Sequence, residues 1–235
     1  MNHSANIDSA EVAKFDAMAA QWWEPNGPCA PLHILNPTRL LYIQKHVQLA
    51  DRSVLDVGCG AGILTESLAT LSAKVHGIDA SADVIAAAKV HAESKNLSIN
   101  YQACSIEEFT AQRNAQFDVI TCMELIEHVP DPAQLIADCA NLLKPGGHLF
   151  LSTLNRTPKS YLFAIIGAEY VLKLLPKQTH DYKKFIKPAE LANTLRDANM
   201  QLRDLKGLKF DPFTKSAQLQ DDLSVNYLAF ASKEN

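Results

Sequence analysis

The chain has 235 residues, of which 47% are hydrophobic, and a formal net charge of −4 at pH 7. This length and composition fit one globular domain over residues 1–235, and the negative charge argues against nucleic-acid binding. The five cysteines form no C-x-x-C pair, which predicts reduced cytosolic thiols, and the N-terminus lacks the apolar core of a signal peptide.

The first 50 residues are predicted to form a helical cap. Residues 8–23 have the pattern of an amphipathic helix, which the proline-rich stretch 24–28 ends. The apolar positions at helical spacing are Val12, Phe15, Ala19 and Trp22. Pro37 is predicted to open a second helix that carries Arg39. Because this segment precedes the first predicted strand, it either covers a ligand pocket or only packs on the core.

A glycine-rich turn follows the first predicted strand, residues 54–57. Its glycines are Gly58, Gly60 and Gly62. Glycines let a ligand approach the backbone, and the next helix points its first N–H groups at that space. A dinucleotide fingerprint needs its third glycine at position 63, which is Ile63. The G-x-G-x-G spacing, with Asp56 before it and Asp79 ending the next strand, resembles the S-adenosylmethionine pocket of class I methyltransferases. The alternative is a tight turn without a ligand.

Strands and helices alternate along the rest of the chain. Further strands are predicted at 74–78, 99–103, 117–123, 148–154, 201–209 and 225–232. Helices are predicted after the N-cap candidates Ser81 and Asp131 and at 188–198, and a turn is predicted at 144–147. This order predicts an α/β fold with a mostly parallel sheet and helices on both faces. By analogy with the Rossmann-like class I methyltransferase fold, the last strand is expected to be antiparallel. Gly58, Asp79 and Met123 lie at predicted strand ends and should converge.

A second group of polar residues follows the predicted strand 117–123. Glu124, Glu127 and His128 are spaced i, i+3 and i+4, which on a helix places them within one arc. Crowded carboxylates and an imidazole are unfavourable unless compensated, and a divalent cation such as Mg²⁺ would compensate them. The alternative is a first helical turn that favours acids through its dipole.

Residues 155–187 interrupt the alternation with an insertion that is apolar and basic. Residues 161–166 and 170–175 are mostly apolar, and the surrounding lysines are Lys159, Lys173, Lys177, Lys183, Lys184 and Lys187. The insertion is too short to span a bilayer but could lie at an anionic membrane surface. The alternative is a lid on the pocket or a protein contact.

Several motifs together resemble the ubiquinone biosynthesis O-methyltransferases. They are D-V-G-C-G-x-G, C-M-E-x-x-E-H-V-P-D-P, L-K-P-G-G, S-T-L-N-R and K-K-F-I-K-P-x-E, with N-P-x-R-L, G-A-E-Y and V-N-Y outside them. L-K-P-G-G is common to many methyltransferases, whereas the long middle motif followed by K-K-F-I-K-P is much narrower. The resemblance covers essentially the whole chain.

This resemblance implies both O-methylations of ring hydroxyls on polyprenylated phenol or catechol intermediates, with S-adenosylmethionine as methyl donor. It implies a cytoplasmic enzyme peripheral to the inner membrane, and a biosynthetic protein complex as a further partner. The family's cofactor contacts fall on Arg39, Gly58, Asp79 and Met123. Its metal cluster falls on Glu124, Glu127 and His128, which are also the candidate catalytic residues. Many class I enzymes hold the adenine amino group with an acid after the third strand, and here the backbone or Ser105 would take that role.

Two mechanisms are consistent with the sequence. A cation held by Glu124, Glu127 and His128 would lower the pKa of the phenol and orient its oxygen. Alternatively, His128 is a general base and no metal takes part. Three other functions remain as alternatives: methylation of another small aromatic or quinone acceptor, a nicotinamide oxidoreductase, which Ile63 disfavours, and a non-catalytic assembly protein that senses the cofactor.

Overall fold

A computed structural model describes residues 6–71, 73–111, 115–162 and 181–234. They form one eight-stranded sheet in the order β3-β2-β1-β4-β5-β8-β6-β7. The strands are β1 (Ser53–Val57), β2 (Lys74–Asp79), β3 (Asn100–Ala103), β4 (Phe117–Met123), β5 (Leu143–Leu154), β6 (Met200–Asp211), β7 (Ser216–Gln220) and β8 (Asn226–Lys233). Strands β1 to β5 pair in parallel, and β8 is antiparallel to both β5 and β6. The prediction of a mostly parallel sheet with an antiparallel last strand is therefore confirmed.

Helices cover both faces of the sheet. They are α1 (Ser9–Asp16), α2 (Ala30–His46), α3 (Ile63–Thr70), α4 (Ala82–Ser94), α5 (Ile106–Thr110), α6 (Pro132–Leu142), α7 (Pro158–Ser160) and α8 (Pro188–Asp197). Successive strand residues point to opposite faces, so Val54 packs in the core beside α2 and α3, and Leu55 packs in the core beside α5, α6 and α8. The order reverses between β1 and β4, so a crevice opens beyond the carboxyl ends of these strands.

The N-terminal segment differs from the prediction in two places. Helix α1 ends at Asp16, and a separate 3₁₀ turn at Ala19–Gln21 replaces the rest of the predicted helix. Pro37 lies inside α2 and does not open it. Pro31 occupies the first turn of α2 instead, where the missing N–H of proline removes no helical hydrogen bond.

Two predictions in the second half of the chain are also corrected. Residues 143–147 are part of β5, and the pairing of β5 with β4 is irregular there, because an advance of two residues along β4 corresponds to an advance of five residues along β5. The turn prediction was wrong in extent, although Gly146 has the positive φ (71°) of a turn residue. Strand β7 was missed, because it is only five residues long with two apolar positions, Ala217 and Leu219, and its position depends on pairing with β6.

The insertion at 155–187 is described only at its ends. Helix α7 and a 3₁₀ turn at Tyr182–Lys184 lie within the described residues, and the apolar stretches at 163–166 and 170–175 lie outside them. Among the helices of the described ranges, none is long and apolar enough to cross a membrane.

Candidate functional site

A cavity of about 750 Å³ lies beyond the carboxyl ends of β1, β2 and β4. Its wall is formed by the strand ends, by the N-terminal segment and by the hairpin of β6 and β7. The wall includes six of the seven residues predicted as site residues, namely Arg39, Gly58, Asp79, Met123, Glu124 and His128. Glu127 is buried beside β5 and is not part of the wall. The prediction that the strand ends converge is confirmed by this arrangement.

The turn after β1 brings the backbone close to the cavity. Gly58 has a φ of 67° and Gly60 a φ of 54°, a region that residues with a Cβ atom rarely adopt. A Cβ at position 60 would lie 2.4 Å from the Trp22 ring, and one at position 58 would lie 2.8 Å from the Leu125 side chain. Both glycines are thus required by their backbone conformation and by the side chains packed against them.

Asp56 links three elements behind this turn. Its carboxylate accepts hydrogen bonds from the hydroxyls of Thr65 (2.6 Å) on α3 and Thr121 (2.7 Å) on β4. Burial raises the pKa of Asp56 to about 6, although these two hydrogen bonds and the nearby Arg39 charge oppose the shift. Asp56 therefore fixes β1, β4 and α3 together at the floor of the cavity.

Asp79 ends β2 at the cavity wall. Its carboxylate accepts the backbone N–H groups of Gly60 (3.0 Å) and Ser81 (2.9 Å). Burial raises the pKa of Asp79, and these N–H groups act in the opposite direction. Ser81 also donates its hydroxyl to Asp16 of α1, so the N-terminal segment contacts this corner of the cavity. A carboxylate at a strand end beside a glycine turn is placed to accept ribose hydroxyls.

Arg39 places a buried guanidinium group in the cavity wall. The residue is 5% exposed, and its Nη2 lies 3.3 Å from Oε1 of Glu124. Within the described residues, neither Nε nor Nη2 has a hydrogen-bond partner of good geometry. Buried guanidinium donors usually pair with an acceptor, so these atoms fit a ligand carboxylate.

Glu124, Glu127 and His128 do not lie on a helix, so that prediction was wrong. Residues 124–128 form a turn, and Glu124 has a φ of 53°. The reversal is held by Ser152 of β5, which accepts the N–H of Glu124 (2.9 Å) and donates its hydroxyl to Oε1 of Glu124 (2.6 Å). Pro130 disfavours helical geometry in the residue before it, which adds to the reason why no helix forms.

Glu127 and His128 have separate partners. Glu127 accepts the Thr153 hydroxyl at 2.9 Å, and its Oε1 has no hydrogen-bond partner among the described residues. Burial and the charge of Glu124 raise the pKa of Glu127. Burial would lower the pKa of His128, but its hydrogen bond with Glu11 and the neighbouring carboxylates raise it overall. Over the described ranges, no three His, Cys, Asp or Glu side chains are grouped so as to hold a metal ion.

The N-terminal segment adds residues to the site that the sequence did not single out. Glu11 contacts His128, and the Phe15 ring packs edge-on against the His128 ring with centroids 5.5 Å apart. The only sequence signal was the amphipathic pattern of the helix, which gives no hint of contacts so distant in the chain. Ser105 lies in the cavity wall as expected, and its hydroxyl accepts the Glu108 N–H as the N-cap of α5.

Comparisons with known proteins agree with this geometry. A family model described as a methyltransferase domain matches residues 33–205. The ubiquinone biosynthesis O-methyltransferase of Thiobacillus denitrificans is 50% identical over 230 residues, covering 98% of this chain and 99% of that protein. Its namesake from Nitrosococcus oceani is 52% identical over 229 residues, covering 97% of each chain.

A solved structure shares the fold. Magnesium protoporphyrin IX methyltransferase from Synechocystis, solved with bound SAM, superposes with a TM-score of 0.66 and 16% identity, covering 99% of this chain and 100% of that chain. At this level of identity the likeness concerns the fold alone.

Proposed function

The chain belongs to the ubiquinone biosynthesis O-methyltransferases, which depend on S-adenosylmethionine, and we propose that it methylates ring hydroxyls of polyprenylated phenol and catechol intermediates in both O-methylation steps of the pathway. The observation that carries this proposal is that one continuous cavity extends from the glycine turn to His128 and on to the β6–β7 hairpin. Its volume of about 750 Å³ is in the upper part of the range for ligand pockets, roughly 300–1,000 Å³, so donor and acceptor can share it.

The cofactor is assigned to the strand-end half of the cavity. The glycine turn at Gly58 supplies backbone that lines the cavity, and Asp79 supplies a carboxylate for the ribose hydroxyls. Arg39 offers donors to the carboxylate of the amino-acid portion. Met123 ends β4 at the wall and gives an apolar contact beside them. S-adenosylmethionine supplies an electrophilic methyl group when bound.

The acceptor hydroxyl is assigned to the side of the cavity at His128. A phenol with a pKa of about 10 is mostly protonated at neutral pH, so its proton must leave as the O–CH₃ bond forms. His128 receives that proton on its ring, while Glu11 holds the ring in place from the N-terminal segment. Glu124 and Glu127 add negative charge that favours the protonated ring. Substrate alignment supplies the rest of the rate enhancement.

A divalent cation bound by Glu124, Glu127 and His128 stays a prediction, and it is the alternative to proton transfer to His128, because the ring nitrogen opposite Glu11 cannot hold both a cation and a proton. Oxygen donors with one imidazole suit Mg²⁺ or Mn²⁺, and the buried Oε1 of Glu127 could gain a partner from such an ion. A cation would compete with Ser152 and Arg39 for Glu124. It would supply Lewis-acid activation of the phenol oxygen.

Membrane association is a further proposal. The prenylated acceptor partitions into membranes, and the basic insertion at 155–187 suits an anionic surface. Lys184 pairs with Asp8 of the N-terminal segment at 3.2 Å, so the described end of the insertion is attached to the cap. We therefore also propose that the enzyme is cytoplasmic, peripheral to the inner membrane and in contact with other biosynthetic proteins.

Purified protein, labelled S-adenosylmethionine and prenylated acceptors provide the test. We expect one methyl group on a ring oxygen of the phenol and, separately, of the catechol, identified by mass spectrometry. Cells that lack the protein should accumulate rings without the methyl group. Methylation at a ring carbon, or turnover only with acceptors that carry no prenyl tail, would instead favour another small-molecule acceptor.

A further inference from the structure

One wall of the cavity carries an apolar strip from the interior to the surface, beside the polar lining residues Lys209, Gln220 and Asp222. Leu208 and Phe210 are two residues apart on β6, so their side chains share a face of the strand. Phe213 follows at the turn of the hairpin, and all three residues line the cavity. Leu208 is 3% exposed, Phe210 is half-buried and Phe213 is 88% exposed. The apolar wall therefore continues from the cavity to solvent.

A second segment, α7 with the two residues after it, contributes to the rim where the cavity opens to solvent. Lys159 of α7 and Asp222, which follows β7, are both half-exposed, form an ion pair at 2.6 Å and line the cavity. Tyr161 and Leu162 come directly after α7 and are also exposed. Of the five large apolar side chains exposed in the described residues, three belong to these two segments. Phe213 lines the cavity itself, and Tyr161 and Leu162 are two and three residues after the lining residue Lys159.

We propose that this apolar path, defined by Leu208, Phe210 and Phe213, binds the first isoprene units of the acceptor's tail and leads the rest of the tail out of the protein. The proposal rests on the proposed function, because it assumes a prenylated acceptor. A cavity of about 750 Å³ that holds the cofactor and a substituted ring leaves no room for a long tail. Hydrocarbon that left the cavity through a polar opening would be exposed to water, whereas this path keeps it in apolar contact.

The hairpin is held against the rest of the site by polar contacts. Thr38 of α2 donates to the Ala217 carbonyl at 3.0 Å, and Lys215 donates to Asn26 at 3.2 Å. A Cβ at Gly207 would lie 2.0 Å from the Asp222 carbonyl, so β6 packs very closely against the residues that follow β7. The path is therefore part of the folded framework and is present before the acceptor binds.

The test compares two acceptors with the same ring, carrying one and three isoprene units. In wild-type protein the longer tail should lower KM. In Phe213→Asp the KM ratio of the longer to the shorter acceptor should rise about tenfold, as expected from losing roughly two buried CH₂ groups. Phe210→Ser should change the ratio in the same direction. Val90→Asp, at an exposed apolar residue of α4, is the matched control and should leave the ratio at the wild-type value.

Each outcome separates the two proposals. An unchanged ratio in both hairpin variants, with wild-type turnover of both acceptors, would overturn the path and leave the proposed function in place. A ratio that changes equally in Val90→Asp would also overturn it. If the wild-type protein methylated neither acceptor, the proposed function would fail, and the assignment of a prenyl tail to the path would fail with it.

Discussion

Oε2 of Glu11 lies 2.9 Å from Nδ1 of His128, although the two residues are 117 positions apart in the chain. Glu11 belongs to α1, which lines the cavity beyond the carboxyl ends of the strands. Asn6 contacts the backbone of Asp131 on one side of this pair, and Asp16 contacts Ser81 on the other. The N-terminal segment is therefore part of the candidate site as well as its cover.

Removing the Glu11 carboxylate should impair methyl transfer while leaving the cofactor half of the cavity intact. In Glu11→Gln, we expect kcat to fall by about tenfold, the effect of losing one charge-assisted hydrogen bond to the ring. The pH at which kcat/KM rises should shift downward, because Glu11 raises the pKa of His128. Lys14→Met removes the other partner of Glu11 and is the matched control. A pH profile identical to wild type would show that Glu11 does not act through His128.

The same pair makes the attachment of α1 depend on pH. The hydrogen bond with His128 lowers the pKa of Glu11 from 4.5 to about 2. The ionised Glu11 therefore stabilises the folded state above pH 4.5, and this stabilisation is lost as the pH falls towards 2. The pKa of His128 is raised, so the protonated ring also stabilises the folded state, and this stabilisation is lost as the pH rises through that pKa. Hydrogen exchange of the backbone amides of residues 9–16, corrected for intrinsic rates, should therefore become faster as the pH rises through the pKa of His128. In Glu11→Gln this pH dependence should be absent, and its persistence there would exclude the pair as the cause.

Asp79→Ala should weaken S-adenosylhomocysteine binding by about tenfold to a hundredfold, because a charge-assisted hydrogen bond to the ribose contributes roughly 1.5–3 kcal/mol. Calorimetric titration measures the effect. Asp79 also accepts two backbone N–H groups, so the melting temperature must be compared to separate lost affinity from a loosened turn. Asp83→Asn, on the exposed first turn of α4, is the control. Unchanged affinity in a folded Asp79→Ala protein would remove Asp79 from the binding site.

Arg39 can be tested with two ligands that differ in the carboxylate. Arg39→Met should reduce affinity for S-adenosylhomocysteine about tenfold or more, since its buried donors would lose the ligand carboxylate. Affinity for methylthioadenosine, which lacks the amino-acid portion, should change much less. Equal losses for both ligands would mean that Arg39 supports the cavity only through Glu124 and Asp56.

The fold could be predicted from sequence where the signals are local. The strand at Phe117–Met123 is a short apolar run, and Ser81 and Asp131 accept N–H groups of the first helical turn as N-caps should. The glycine turn at Gly58 and Gly60 follows from backbone conformations that few other residues adopt. These elements depend on interactions within a few residues, which the sequence displays directly.

The remaining parts of the site depend on contacts between distant segments. The spacing of Glu124, Glu127 and His128 suits a helix, but Ser152 of β5 captures Glu124 and turns the chain. The contact of Glu11 with His128 likewise requires the whole sheet to be assembled first. Neither interaction leaves a local pattern in the sequence, so a cap over the pocket could be predicted as one alternative but the contact of Glu11 with His128 could not.

Metal removal tests the remaining prediction about the acceptor half of the site. Burial and the charge of Glu124 raise the pKa of Glu127, and its Oε1 has no hydrogen-bond partner among the described residues, so a cation would relieve both conditions. If a cation rather than His128 activates the phenol, thorough chelation should reduce turnover and added Mg²⁺ should restore it. Binding of S-adenosylhomocysteine should be unaffected, because Asp79 and Arg39 lie in the other half of the cavity. Glu127→Gln should lower the rate and weaken its dependence on Mg²⁺. Full turnover after chelation would show that His128 acts without a metal, and the carboxylates would then serve only to set its charge.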